Sequence, residues 1–208
     1  MKNISVLLFL LITLALNAQN NKTSGLNARQ FHKYWKVESE SPDYKVTFLG
    51  DTVEILSPKG LTLWRKEKMS GKVTIEYDAC VVVEVEGDRL SDLNCFWMAS
   101  DPQYPDNIWK REKWRSGIFL NCYSLQLYYM GYGGNHNSTT RFRRYDGNEA
   151  AITNAKARPA ILKEYTDADH LLEANKWYHI KITNENNRVS YYINGVRLVD
   201  FRDADPLT

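Results

Sequence analysis

Hydrophobic and polar positions alternate along most of the chain, and this alternation predicts short β-strands. The clearest case is the segment 73–84, whose apolar side chains fall on one face of an extended strand: Val73, Ile75, Tyr77, Ala79 and Val81. Because a strand buries its apolar face, we expect these five side chains to line the core. The opposite face carries Glu76 and Asp78.

Further strands of this kind are separated by turn residues, and they are predicted at 45–49, 52–56, 61–65, 94–99, 117–121, 124–130, 177–183, 189–193 and 196–201. Helical turns are expected only near 30–35 and 167–173. Many short strands without a strand–helix–strand rhythm predict an all-β fold, a two-sheet antiparallel jelly-roll sandwich. Two long insertions, 100–116 and 131–158, interrupt the strands, and loops of this type often carry function.

The N-terminus has the pattern of a secretory signal peptide. Lys2 is followed by an apolar run, 6–16, which is shorter than the roughly 20 residues that span a bilayer. Small residues around Ala18 then provide a cleavage site. We therefore predict a signal peptide over 1–18, a lead-in over 19–44 and a jelly-roll domain over 45–208. Because a cleaved signal peptide contributes nothing to the core, residues 1–18 are expected to pack against nothing. The mature protein is expected in the periplasm or the medium, free of the membrane.

Composition excludes some classes of protein and partner but does not identify the function. The chain has 208 residues, 43% of them hydrophobic and 25% charged, with a net charge of +2. These values indicate one globular domain and argue against a nucleic-acid partner. The 6 Trp, 13 Tyr and 7 Phe residues provide flat surfaces on which sugar rings stack. Three cysteines without metal-type spacing are expected to be small buried side chains, so we predict no metal and no cofactor.

Two basic, aromatic stretches are the main candidates for substrate binding. The stretch 107–115 contains Trp109, Lys110, Trp114 and Arg115, and the stretch 141–145 contains Arg141 and Arg143. Arginine binds carboxylates with two hydrogen bonds, and Trp faces stack on sugars, so the combination favours an acidic glycan. The alternative is that these charges are solvated and paired with Asp and Glu elsewhere.

Four residues are candidates for proton transfer. His136 lies in the glycine-rich loop 131–137, and Tyr132 precedes it. Glu76 and Asp78 lie two residues apart on one strand face, about 7 Å by strand rise, which fits the carboxyl separation of an inverting hydrolase. Alternatively, His136 is a turn residue, and the two acids lie on a solvent face or form salt bridges to the arginines.

Several stretches resemble known families. Residues 177–182 and 189–195 resemble the closing hairpin of concanavalin-like and laminin-G-like jelly rolls. Residues 91–99, 128–135 and 139–145 are similar to exported proteins related to the YesU-like rhamnogalacturonan-utilisation proteins of polysaccharide-degrading Bacteroidetes. The resemblance spans roughly 46–208 and implies a jelly roll in a carbohydrate context, without a catalytic residue set. Such jelly rolls follow the Asn194-Gly195 hairpin with a glycine-rich segment and a final strand, so we expect either that the last strand or strands are missing or that this protein leaves a sheet edge open.

Within these family-like stretches, Asn94, Trp97 and Tyr128 are further candidates for substrate binding. The sequence thus predicts a monomeric protein that acts on a uronate-containing, pectin- or rhamnogalacturonan-like polysaccharide or oligosaccharide, as a lyase or a glycoside hydrolase. The alternative is a non-catalytic glycan-binding module.

In the lyase hypothesis, an arginine neutralises the uronate carboxylate: Arg115, Arg141 or Arg143. His136 or Tyr132 then removes the C5 proton of the sugar. In the hydrolase hypothesis, Glu76 and Asp78 supply the acid and the base.

Overall fold

The computed structural model describes residues 6–11 and 28–208, and most of its regular structure is β-strand. The strands are β1 (Val6–Leu11), β2 (Trp35–Ser39), β3 (Lys45–Leu49), β4 (Thr52–Ser57), β5 (Leu61–Arg65), β6 (Val73–Val82), β7 (Leu93–Ser100), β8 (Gln126–Gly133), β9 (Thr139–Asp146), β10 (Lys163–Tyr165), β11 (Trp177–Glu185), β12 (Arg188–Ile193) and β13 (Val196–Arg202). The helices are α1 (Ala28–Tyr34), α2 (Glu112–Arg115), α3 (Gly134–Asn137) and α4 (Ala150–Thr153). Short 3-10 turns lie at Ile108–Arg111, Phe119–Ser124, Ala155–Ala157 and Ala168–His170.

Antiparallel sheets pack as a sandwich, which confirms the predicted all-β class. The larger sheet has the strand order β13-β12-β11-β6-β1-β4-β3, and the smaller one has the order β10-β9-β8-β7. A third pair, β2 and β5, forms a separate two-stranded sheet. The predicted strand at 117–121 is wrong, because Gly117 adopts a left-handed φ of 71° and the chain then turns into the 3-10 segment Phe119–Ser124.

The main core lies between the two large sheets. Tyr77, Ala79 and Val81 of β6 are buried there, and Ile75 packs against them, so the predicted apolar face of this strand is confirmed. The smaller sheet contributes residues such as Met130 and Phe142 from its inner face. Strand alternation therefore leaves the opposite face of the smaller sheet free to build a second surface.

One end of that outer face is covered by a second apolar cluster. Leu127 of β8 and Tyr145 of β9 pack there with Cys122 and Tyr123 from the preceding 3-10 segment and Ala151 of α4. The insertions between strands thus cover part of this face. The cluster extends to Tyr129 and Trp64, and the candidate site described below lies along it.

The N-terminal segment differs from the prediction. Val6–Leu11 forms a strand between β4 and β6, with Leu8 opposite Ile55 on one side and Val81 on the other. The expectation that residues 1–18 pack against nothing is therefore wrong for Val6–Leu11. The rest of the predicted signal peptide, and residues 19–27 of the lead-in, lie outside the described residues. Among the residues that are described, no helix has the length and apolar character needed to cross a bilayer.

All three cysteines are free thiols. Cys80 and Cys122 are buried, and Cys95 is partly buried against the main core. Burial raises the pKa of the Cys95 thiol to about 11, so this side chain stays neutral at physiological pH. The prediction that the cysteines act as small buried side chains is confirmed.

Candidate functional site

A cavity of about 1250 Å³ borders the smaller sheet, and core residues such as Tyr77 and Val81 line it as well as residues of the outer face. We call its part along the outer face the groove. Among the described residues, eight Lys and Arg side chains line the cavity, against four Asp and Glu side chains. This positive excess is large for a chain whose total net charge is +2.

Two rows of side chains cross the sheet on the groove face. Strand register aligns the first row, which consists of Asn94, Gly131, Arg141 and Glu164 on β7, β8, β9 and β10. The second row, two residues further along each strand, consists of Phe96, Tyr129 and Arg143. Because alternate side chains of a strand share a face, both rows point to the same side of the sheet.

The side chain of Tyr129 forms the centre of the groove floor. A Cβ atom at Gly131 would lie 2.7 Å from the Cζ atom of Tyr129 and closer still to its hydroxyl, so the ring lies directly over Gly131. The Tyr129 hydroxyl donates a hydrogen bond to Oδ1 of Asn94, at 3.1 Å. Glycine at 131 is therefore what allows a phenol hydroxyl to reach the space between Asn94 and Arg141.

This floor is largely shielded from water. Tyr129 is 7% exposed. Burial raises the pKa of the Tyr129 hydroxyl, and the nearby Asp92 raises it further, while Arg143 and Arg141 act in the opposite direction. The hydroxyl is therefore a neutral phenol at physiological pH and a hydrogen-bond donor.

The two arginines on the floor differ in their partners. Nε of Arg141 lies 2.5 Å from Oε1 of Glu164, so its charge is already compensated. Arg143 donates from Nη1 to the carbonyl oxygen of Pro159. Within residues 6–11 and 28–208, Arg143 forms no ion pair with a carboxylate. Arg143 is therefore the cation of this floor that is available to an anionic ligand.

Aromatic rings form the side wall of the groove. Trp64 stacks on Phe96 with their ring centroids 5.9 Å apart, and Phe119 packs beside them with its centroid 6.2 Å from that of Phe96. Trp109 also lines the groove, and Nζ of Lys36 lies 5.3 Å from its ring. A wall of this kind can stack on the apolar faces of sugar rings.

The comparisons with known proteins give one family. A family model for a domain of unknown function, DUF6250, matches residues 55–208. The chain belongs to the DUF6250 family. No curated protein and no solved structure matches it.

The matched region of this DUF6250 chain includes every strand of the smaller sheet. Four of the residues predicted from the sequence come together in its groove: Asn94, Trp109, Arg141 and Arg143. They come from both candidate stretches and from β7.

The expectation that the rest of the 107–115 stretch joins them is wrong. Arg115 is completely buried and forms two hydrogen bonds with the Glu38 carboxylate, at 2.6 and 3.2 Å. Trp114 is exposed outside the groove, with the Arg111 guanidinium 5.1 Å from its ring. Lys110 is exposed and does not line the groove either.

Three aromatic candidates lie on the core face of the smaller sheet instead. The Tyr132 hydroxyl donates to the carbonyl oxygen of Leu171, at 3.2 Å, and is 2% exposed. The Tyr128 hydroxyl donates to Asp203, at 2.6 Å. Trp97 is 3% exposed and stacks in the core, although it borders the cavity from that side. A shift of one residue along a strand separates these side chains from the groove face.

The structure also keeps the other proton-transfer candidates away from the floor. His136 is exposed on α3 and does not line the groove. Asp78 pairs with His179 at 2.9 Å, on the outer face of the larger sheet. Glu76 reaches the edge of the cavity, but its carboxylate pairs with Lys181 at 2.6 Å. Both acids therefore lie toward solvent, as one of the alternatives held, but their partners are Lys181 and His179 and not arginines.

The sequence analysis missed several residues of the site: Tyr129 on the floor, Trp64, Phe96 and Phe119 in the aromatic wall, and Arg158. One signal for Tyr129 was present. Gly131 follows it at the i+2 position on the same strand face, and a glycine inside a strand often marks a place where another group approaches closely.

Proposed function

We propose that this DUF6250 chain is an exported carbohydrate-active protein that acts on an acidic, uronate-containing polysaccharide of the pectin or rhamnogalacturonan type. The observation that supports this most is Arg143, a half-buried guanidinium without a carboxylate partner among the described residues, next to the buried Tyr129 on the groove floor. A sugar carboxylate would complete its hydrogen bonds, and the aromatic wall would hold the sugar rings. Export through the signal peptide 1–18 remains part of the proposal.

A lyase fits the site better than a hydrolase. In β-elimination, a base takes the C5 proton, a C4–C5 double bond forms as the C4–O bond breaks, and the glycosidic oxygen leaves with a proton from an acid. Asp106, the groove-lining carboxylate without an ion pair among the described residues, would be the base. Arg143 and Asn94 would stabilise the charge on the sugar carboxylate, and the neutral Tyr129 hydroxyl suits the acid. A hydrolase needs two available carboxyl groups, whereas the other three acids that line the groove are paired: Glu67 with Arg65, Glu76 with Lys181 and Asp92 with Arg89.

The second candidate function is a glycan-binding module without catalysis. The observation that favours it is the same raised pKa of Tyr129, since a neutral phenol does not remove a proton. In addition, none of the histidines in the described part of the chain lines the groove. In this alternative, Arg143 and the aromatic wall only hold the polymer.

Incubation with pectic and other uronate polysaccharides separates these functions. We expect new unsaturated ends, seen as ultraviolet absorbance, and we expect Tyr129→Phe to lose them while its retention on the polymer is kept. Reducing ends without unsaturated ends would indicate a hydrolase. Retention without any product would indicate a binding module, and neither retention nor product on any uronate polymer would contradict the proposal.

A further inference from the structure

A second arginine lies at the same corner of the groove as Arg143. Arg158 follows the 3-10 segment Ala155–Ala157 and lines the groove. Its guanidinium carbon lies 5.7 Å from the ring centroid of Tyr123. The next residue in the chain, Pro159, accepts the hydrogen bond from Arg143. A hydrogen bond therefore links the loop that carries Arg158 to the Arg143 side chain.

These two arginines differ from most others in their ion pairing. Eight arginines pair with a carboxylate: Arg65, Arg89, Arg111, Arg115, Arg141, Arg144, Arg188 and Arg197. In the part of the chain that the structure describes, Arg143 and Arg158 have no such pair. Arg143 is half-buried and Arg158 is exposed. Like charges at one corner repel each other, and an anion bound there would relieve this repulsion.

A third donor in the same wall lacks a partner. The Tyr145 hydroxyl is buried and has no hydrogen-bond partner among the described residues, and Tyr145 is 1% exposed. Its ring stacks on that of Tyr123, with centroids 4.8 Å apart, so it belongs to the same corner. A buried polar group without a partner is costly, which makes this hydroxyl a further donor for a ligand.

We propose that Arg158 is a substrate-binding residue that forms, with Arg143, a clamp for one oxyanion of the glycan, to which the Tyr145 hydroxyl also donates. The clamp specifies how the protein binds the anionic group of its substrate, and it rests on the function proposed above. Two guanidinium groups offer only donors, and the phenol hydroxyl adds one more O–H donor, so the ligand group must be rich in acceptors. A uronate carboxylate and a sulfate ester share this chemistry.

Calorimetric binding of matched oligosaccharides tests the clamp. One backbone is used in three forms: with its carboxylates, with the carboxylates reduced, and reduced and then sulfated. We expect Arg158→Gln and Arg143→Gln each to weaken binding of the preferred anionic form by about tenfold, because each loses a charged hydrogen bond. The loss of affinity in the double variant should be smaller than the product of the two single losses, because both side chains bind the same anion. The tighter of the two anionic forms identifies the oxyanion.

Lys156→Gln is the matched control, since Lys156 is exposed in the same loop and does not line the groove. Equal weakening by Lys156→Gln and Arg158→Gln would mean that only overall charge matters, and this would overturn the clamp. If Arg143→Gln weakens binding and Arg158→Gln does not, the clamp is wrong but the proposed function stands. If the wild-type protein binds neither anionic form, the proposed function itself fails.

Discussion

Replacing Arg115 with alanine is expected to lower the free energy of unfolding by about 3–5 kcal/mol, the largest effect that we expect from a single substitution. The Arg115 side chain is 0% exposed and that of Glu38 is 4% exposed, so the pair is fully desolvated. Without the guanidinium, the Glu38 carboxylate is left as an uncompensated buried charge, and the carbonyl oxygen of Ile108 loses its donor. Chemical denaturation measures the change.

Two controls accompany this experiment. Lys113→Ala removes an exposed charge from the same short helix and should change stability by less than about 0.5 kcal/mol. The double variant Arg115→Met with Glu38→Leu removes both charges at once and should recover most of the lost stability. A loss below about 1 kcal/mol for Arg115→Ala would contradict the buried pair and would return Arg115 to the candidates for substrate binding.

Replacing Gly131 with alanine is expected to reduce activity or binding by a factor on the order of 100, because misplacing a group in the site by about 1 Å costs this much. The added methyl group would lie where the Tyr129 ring now lies, so the ring must move and its hydroxyl must leave Asn94. The same overpacking should cost about 1–3 kcal/mol of stability. Activity on a uronate polysaccharide and thermal unfolding are measured together.

The comparison variant for Gly131→Ala is Tyr129→Phe, which removes the hydroxyl and keeps the ring. Combining the two changes should cost less stability than Gly131→Ala alone, because the atom nearest to the new methyl group is absent. Wild-type activity in folded Gly131→Ala would show that the position of the Tyr129 hydroxyl does not matter for function.

Hydrophobic alternation in the sequence predicts the buried face of a strand correctly when one face of that strand is buried and the other is exposed. In β6, the apolar series from Val73 to Val81 identified the core face correctly, because burial on one face imposes a period of two. The same logic failed in β8, where seven of eight residues are buried. A strand covered on both faces shows no alternation, so the hydrophobic pattern did not separate Tyr129 from Tyr128 and Tyr132, and Gly131 was the remaining signal.

Long-range partners explain the other errors in the site. Arg115 was a reasonable candidate by charge, but its partner Glu38 lies 77 residues away in sequence, and only the fold brings them together. The same holds for Arg141, whose charge is compensated by Glu164 from the neighbouring strand. Sequence patterns place charges on strands and loops, but they do not show which charges are already paired.

The central claim is that Arg143 recognises a sugar carboxylate in the groove. The most direct test compares the affinity of the wild-type protein for a uronate oligosaccharide with its affinity for the carboxyl-reduced form. We predict at least about tenfold tighter binding of the charged form, a difference that narrows at high salt and disappears in Arg143→Gln. Equal affinities for the two forms in the wild-type protein would contradict the claim and leave stacking on the aromatic wall as the basis of binding.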